Sequence, residues 1–182
     1  MNKPFIAENT HILLRPMTEA DCPDIVRWRN EDRIRIRYIY RERFTEEAER
    51  IYFHREVETG RVIHLMIAEK NDPGRSVGCY VISGIDPESG EGESGLFLGE
   101  EDVLGRGIGV ETLRAGADWA FGSKGFTHLT ARVFTDNLPS LKTHENAGYR
   151  TVRILKNVEC TDGEIKDMYL MERDREGNGS RT

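Results

Sequence analysis

Residues Gly92 to Tyr149 read GESGLFLGEEDVLGRGIGVETLRAGADWAFGSKGFTHLTARVFTDNLPSLKTHENAGY. At the centre is Gly105-Arg106-Gly107-Ile108-Gly109. Before it, Glu93 to Leu98 ends on a short apolar run that suits a strand. After it, Ile108, Leu113, Ala117, Ala120 and Phe121 fall on one helical face. Glycines between a strand and a helix let the backbone approach a ligand and leave the first helical amides unpaired. Those amides and the positive end of the helix dipole suit an anion, most often a phosphate or pyrophosphate. The other reading of the pentapeptide is a glycine-rich turn with no ligand. It is not a Walker loop, since no Gly-Lys-Ser/Thr follows, and its glycine spacing is one residue too short for a dinucleotide fingerprint.

The residues downstream favour the ligand. His128 to Phe134 reads as a strand, and Thr135-Asp136-Asn137-Leu138-Pro139-Ser140 starts a second helix. Pro139 suits its first turn, and Gly148 the position just past its end. These two blocks resemble the GCN5-related N-acetyltransferase (GNAT) superfamily, closely over Glu93 to Tyr149 and loosely elsewhere. The family turn Gln/Arg-x-x-Gly-x-Gly/Ala falls on Leu104 to Gly109, with Leu104 in place of the polar first residue. The family's Asn-x-x-Ala/Ser…Gly-Phe falls on Asn137, Ser140, Gly148 and Tyr149. Leu-Arg-Pro…Thr-Glu-Ala-Asp, from Leu14 to Asp21, is also a common family opening.

The resemblance implies an α/β (α+β) fold, with a mixed central sheet of six to seven strands and helices on both faces. It implies acetyl-CoA as co-substrate and no metal. Its pyrophosphate would lie on the amides of Arg106, Gly107, Ile108, Gly109 and Val110. A backbone N–H between Gly95 and Leu98 would face the thioester oxygen where two central strands splay apart, which makes Leu98 a cofactor contact. Asn137 would hold the pantetheine arm, and Ser140 is a second candidate contact. The family's tyrosine acid falls on His144, as a proton donor to the leaving thiolate or as tunnel lining. Glu93 matches the acidic residue on the strand, as a water-mediated base or as a structural carboxylate.

Composition limits the alternatives. At 182 residues the chain fits one domain, here 1–171, with a polar tail at 172–182 expected to be disordered. Its net charge of −6 gives no footprint for nucleic acid, and no apolar run is long enough for a membrane span. Cys22, Cys79 and Cys160 lie far apart without metal spacing, which points to reduced thiols and a cytoplasmic setting. Monomer and homodimer both remain open.

Along the chain, Thr10 to Arg15 reads as the first strand, and Thr18 opens a helix to about Trp28 with Asp21 in an imperfect capping box. Arg29 to Phe44 is dense in arginine, with Tyr38 and Tyr40 among them. The alternation Ile34-Arg35-Ile36-Arg37 fits a strand, and the whole stretch reads either as a solvated linker or as an acceptor loop. In the second case Arg29, Asn30, Arg37, Tyr38 and Tyr40 would bind an anionic acceptor. Thr45 caps a helix running to about Thr59, in which His54 reads as a surface or packed residue. Val62–Glu69 and Val77–Ser83 form a hairpin, and Arg150–Val158 with Lys166–Met171 a final one. The words Trp28-Arg29-Asn30, Glu93 to Phe97 and Val133 to Asn137 resemble enzymes that acetylate nucleotide-linked deoxyamino sugars. The acceptor implied is a small-molecule amine of that kind, a nucleotide sugar. The alternatives are a ribosomal-protein-type N-terminal acetyltransferase and a degenerate acyl-CoA-binding module.

Overall fold

The computed structural model describes residues 5–176. Its centre is one sheet of eight strands in the order β1-β2-β3-β4-β5-β6-β8-β7. The strands are β1 (Ala7–Glu8), β2 (Ile12–Pro16), β3 (Ile63–Glu69), β4 (Asp72–Asp86), β5 (Glu91–Leu98), β6 (His128–Phe134), β7 (Arg150–Glu159) and β8 (Ile165–Asp174). The helices are α1 (Cys22–Arg29), α2 (Asp32–Arg35), α3 (Glu46–Tyr52), α4 (Ile108–Ser123) and α5 (Leu138–Asn146).

Period-two alternation divides the strands into two faces. Leu65, Ile67, Tyr80, Ile82, Leu129 and Ala131 share one core with Leu113, Ala117 and Ala120 of α4. Met66 and Cys79 face the other way and pack with Cys22, Ile25 and Trp28 of α1, with Phe97 alongside. A mixed sheet with helices on both faces is what the sequence implied.

Several local expectations change. The sheet has eight strands rather than six to seven, because the short edge strand β1 precedes β2. The Ile34–Arg37 alternation is not a strand: α2 turns there, burying Ile34 and leaving Ile36 exposed. The helix from Thr45 runs only to Tyr52 and continues as a π-helical turn, Phe53–Val57. The segment 172–182 is not disordered throughout, since Glu172 to Asp174 pair with β6. Residues 177–182 of that expected tail lie outside the described residues. The capping box holds, with the Thr18 N–H and hydroxyl both donating to Asp21 Oδ2 at 2.8 Å.

β5 and β6 run parallel but pair only at Glu91↔His128, Gly92↔Leu129 and Glu93↔Thr130. Beyond that point β5 stays on β4 as far as Leu98, while β6 stays on β8 as far as Phe134. The sheet is therefore split from Ser94 onward. Since the Gly99 N–H bonds Val77 O at 2.8 Å in the same register, the antiparallel alternation turns Gly95 and Phe97 amides toward β4. The Leu96 and Leu98 amides turn toward the split.

Candidate active site

Three elements meet at the split. α4 begins at Gly107, whose φ of +80° follows a φ of +72° at Gly105. Both angles lie in the left-handed region, where a side chain is strained, and a Cβ at either position would meet only open space. The first closed turn of α4 runs from the Glu111 N–H to Gly107 O at 3.1 Å, so the amides of Ile108, Gly109 and Val110 have no partner within the helix. No side chain caps them. The nearby carboxylates are held aside. Glu111 accepts from the His11 N–H at 2.8 Å, and Arg106 reaches the buried Glu69 at 2.5 Å, pinning the turn to the end of β3. Leu104 is exposed.

Gly109 serves a different need from Gly107. A Cβ on it would lie 3.1 Å from Thr143 Cγ2 and 3.8 Å from Leu96 Cδ1, so its bareness lets α4, α5 and β5 converge. On α5, Asn137 is the N-cap, its Oδ1 accepting from the Ser140 N–H at 3.4 Å. That leaves its side-chain NH2 for a ligand. His144 is buried, with Nδ1 2.9 Å from Ser140 O. A carbonyl oxygen only accepts, so Nδ1 carries the proton. Nε2 is buried without a hydrogen-bond partner among the described residues. Burial holds the imidazole below its ordinary pKa, against the opposing bond to Ser140 O. The ring is thus neutral near pH 7 and Nε2 is a lone pair. Its ring lies edge-on to Tyr149, centroids 5.3 Å apart, and the Tyr149 hydroxyl meets Ser94 Oγ at 2.7 Å on the β5 side of the split.

The opposite face holds the residues expected for the acceptor. Glu93 Oε1 accepts from Arg132 Nε at 2.8 Å, an ion pair across the start of the split. Phe97 stands edge-on to Trp28 and Tyr38, with centroids 6.1 and 6.3 Å away. Arg29 is buried, its guanidinium 3.4 Å from the Tyr38 ring centroid. The Asn30 side chain donates to Phe44 O and accepts from the Phe44 N–H, tying off the loop. Tyr40 is two-thirds exposed and sits with neither Tyr38 nor Phe97. Arg33 donates to Leu98 O and Gly99 O, Arg35 binds Asp32, and Arg41 is buried against Asp162 and Glu164. Among the described residues Arg37 meets Asp136 at 3.7 Å, and Arg43 meets Asn30 O at 3.5 Å, its charge also felt at Asp32. The arginine-rich stretch is therefore mostly internal scaffolding. Sequence reasoning gave no site role to Glu49, read as a helix-start carboxylate, or to His64, both buried on this face.

The sequence profile of the acetyltransferase (GNAT) domain matches residues 11–150, and the chain belongs to that family. It is 26% identical over 150 residues to an uncharacterized protein of Methanocaldococcus jannaschii, covering 81% of this chain. The chain spans 30% of that relative's length. Among solved structures, RimL, a ribosomal L7/L12 alpha-N-protein acetyltransferase in complex with coenzyme A, superposes with a TM-score of 0.82 at 18% identity. That match covers 94% of this chain and 98% of the other. Spermidine N-acetyltransferase from Vibrio cholerae, in complex with CoA and spermine, gives a TM-score of 0.82 at 14% identity. It covers 91% of this chain and 96% of the other. At these identities the likeness is one of fold.

Proposed function

We propose that the chain is an acetyl-CoA-dependent N-acetyltransferase that moves the acetyl group directly to a primary amine. The observation that carries this is the convergence on one opening of the β5/β6 split, the uncapped start of α4 and the unpartnered Nε2 of His144. Acetyl-CoA supplies an acyl group already activated as a thioester. The chain's part is positioning and proton movement. The amides of Arg106 to Val110, over the open space at Gly105 and Gly107, would hold the pyrophosphate. The Leu96 or Leu98 N–H would donate to the oxygen that becomes negative. The Asn137 NH2 and the Ser140 side chain would line the pantetheine arm. Nε2 of His144 takes the proton that leaves the acceptor nitrogen as the N–C bond forms. It then returns that proton to the sulfur as the C–S bond breaks. This gives His144 the acid role only after it has acted as a base. Glu93, committed to Arg132, orients the mouth of the acceptor side or passes a proton through water.

The finer reading of the acceptor is a nucleotide-linked deoxyamino sugar. Arg37 and Arg43, the guanidinium groups least engaged by the protein, are the ones left for its phosphates. A thiol-release assay with acetyl-CoA against nucleotide-linked amino sugars, N-terminal peptides and polyamines tests it. Turnover on the sugars supports the reading and turnover on peptides alone replaces it. Tight acetyl-CoA binding without turnover on any amine makes the chain a binding module. Cofactor placement is tested separately by Gly107→Glu, which sets bulk and negative charge into the open space at the start of α4. Loss of calorimetric acetyl-CoA binding in a variant with unchanged circular dichroism is expected; retained affinity sinks the assignment.

A further inference from the structure

The face of the sheet opposite α4 holds a polar cluster that this chemistry does not use. Three ionisable side chains from three elements lie there: Arg29 of α1 at 7% exposure, Glu49 of α3 at 3% and His64 of β3 at 6%. Arg29 is held between two rings, 3.4 Å from the Tyr38 centroid and 4.8 Å from that of Phe44. The Glu49 side chain makes no hydrogen bond or ion pair among the described residues. Neither ring nitrogen of His64 has a hydrogen-bond partner among the described residues. Tyr52, one turn after Glu49 on α3, stands edge-on to His64 at 6.4 Å. The charge of Arg29 is felt at both Glu49 and His64. Burial pushes the Glu49 carboxyl up to about 7, with Arg29 opposing, and the His64 imidazole down to about 4.

A buried polar group left without a partner costs about 1–3 kcal/mol. Both ring nitrogens of His64 are in that state, and a buried carboxylate without a side-chain hydrogen bond lies on the same face, a combination that suits a ligand. The register shows where such a ligand would come from. His64 pairs with Val81, and Val81 with Gly95, so all three point to this face in one row. A Cβ on Gly95 would meet nothing within 4 Å. The next row, Met66, Cys79 and Phe97, is closed by Trp28 and Tyr38. The row thus begins at the open space over Gly95, beside the split, and ends at the buried His64, two strand spacings or roughly 10 Å away. That is the reach of one small cyclic molecule.

Charge selects its chemistry. Arg29 is a cation, Glu49 with its carboxyl pushed up to about 7 is only partly ionised near neutral pH, His64 is neutral, and Asp21 is spent on Arg15 and Thr18. The cluster therefore carries at most a fraction of one positive charge. It offers acceptors on Glu49, donors on Arg29 and one of each on His64. We infer that Arg29, Glu49 and His64 form the far end of the acceptor pocket and bind the hydroxyl groups of a hydroxylated primary amine, an amino alcohol or amino sugar. This rests on the acetyltransferase reading above.

The test compares two cyclic primary amines, glucosamine and cyclohexylamine, in wild type, Glu49→Gln and His64→Leu. Wild type is expected to favour glucosamine in kcat/KM by about tenfold or more, since a site built to bind hydroxyls rejects the amine that lacks them. Both variants should bring that ratio toward one while the KM for acetyl-CoA stays unchanged. His64→Leu removes two unpartnered nitrogens, so its Tm should rise, which separates lost recognition from lost folding. Equal losses on both amines, or an unchanged ratio, overturn the inference. If wild type acetylates neither amine, binding is read in place of turnover. Calorimetry then decides for the pocket: glucosamine binding to wild type with CoA present, weakened in His64→Leu, supports it, and no binding overturns it.

Discussion

His144 turns on one proton. Its distance to Ser140 O puts that proton on Nδ1, which a sequence can never assign, because the partner is a carbonyl one turn back on the same helix. The position was legible from its spacing after Asn137; the proton state was not. If Nε2 relays the amine proton, His144→Phe should lower kcat by about a hundredfold and leave the KM for acetyl-CoA within about twofold. Burial depresses the pKa, and the ring must be neutral to act, so the acid limb due to His144 lies below pH 6.5. That limb should vanish in the Phe variant. His144→Tyr should keep more of the rate, since a phenol both donates and accepts. A kcat–pH profile settles the role, and a Phe variant with wild-type kcat would leave His144 as tunnel lining. His64 was missed for a different reason: it alternates with Met66, which reads simply as a buried face. What it lacks there is a partner, and a lack is invisible in sequence.

The elements divide in the same way. The start of α4 was legible because its glycines act within a few residues of one another. The arginine segment was not, because its partners lie far along the chain: Arg41 with Asp162 and Glu164, Arg33 with the carbonyls ending β5. The β5/β6 split follows from how far each strand prefers its other neighbour, a comparison that local pattern does not contain. Packing at the end of β5 makes a prediction of its own. Trp28 is wholly buried, donates from Nε1 to Glu100 at 2.9 Å, and lies so close to Gly99 that an added Cβ would fall 2.2–2.5 Å from three of its ring atoms. Gly99→Ala must push the indole or the strand end aside, at a cost of about 1–3 kcal/mol. For a chain of this size that lowers Tm by several degrees, roughly 5 °C. The displaced Leu98 amide should also lower kcat more than it raises the KM for acetyl-CoA. A Tm within error of wild type by calorimetry would show that the indole yields freely.

Two buried groups on the face opposite α4 also govern how the folded chain responds to pH, with opposite signs. Glu49 has a folded pKa of about 7 against about 4.3 unfolded. Over that window the folded state holds more proton, so Glu49 withdraws stability as pH rises. His64 has a folded pKa of about 4 against about 6.5 unfolded. There the unfolded state holds more proton, so His64 adds stability as pH rises over nearly the same range. Each swing is on the order of 3 kcal/mol, so between about pH 4.5 and 6.5 the two largely cancel. Below that, Asp21 takes over. Although burial would raise its pKa, hydrogen bonds from Arg15 and Thr18 hold it far lower, so its contribution is lost as acid protonates it. The cancellation can be undone one side at a time. His64→Leu should leave the Glu49 slope exposed, and urea midpoints should fall from pH 4.5 to 7. Glu49→Gln should leave the His64 slope, and midpoints should climb from pH 4 to 6.5. The double variant should again be flat. Parallel profiles in both single variants would mean that these groups reach water in the folded state, and that the open row above Gly95 extends to solvent at its far end.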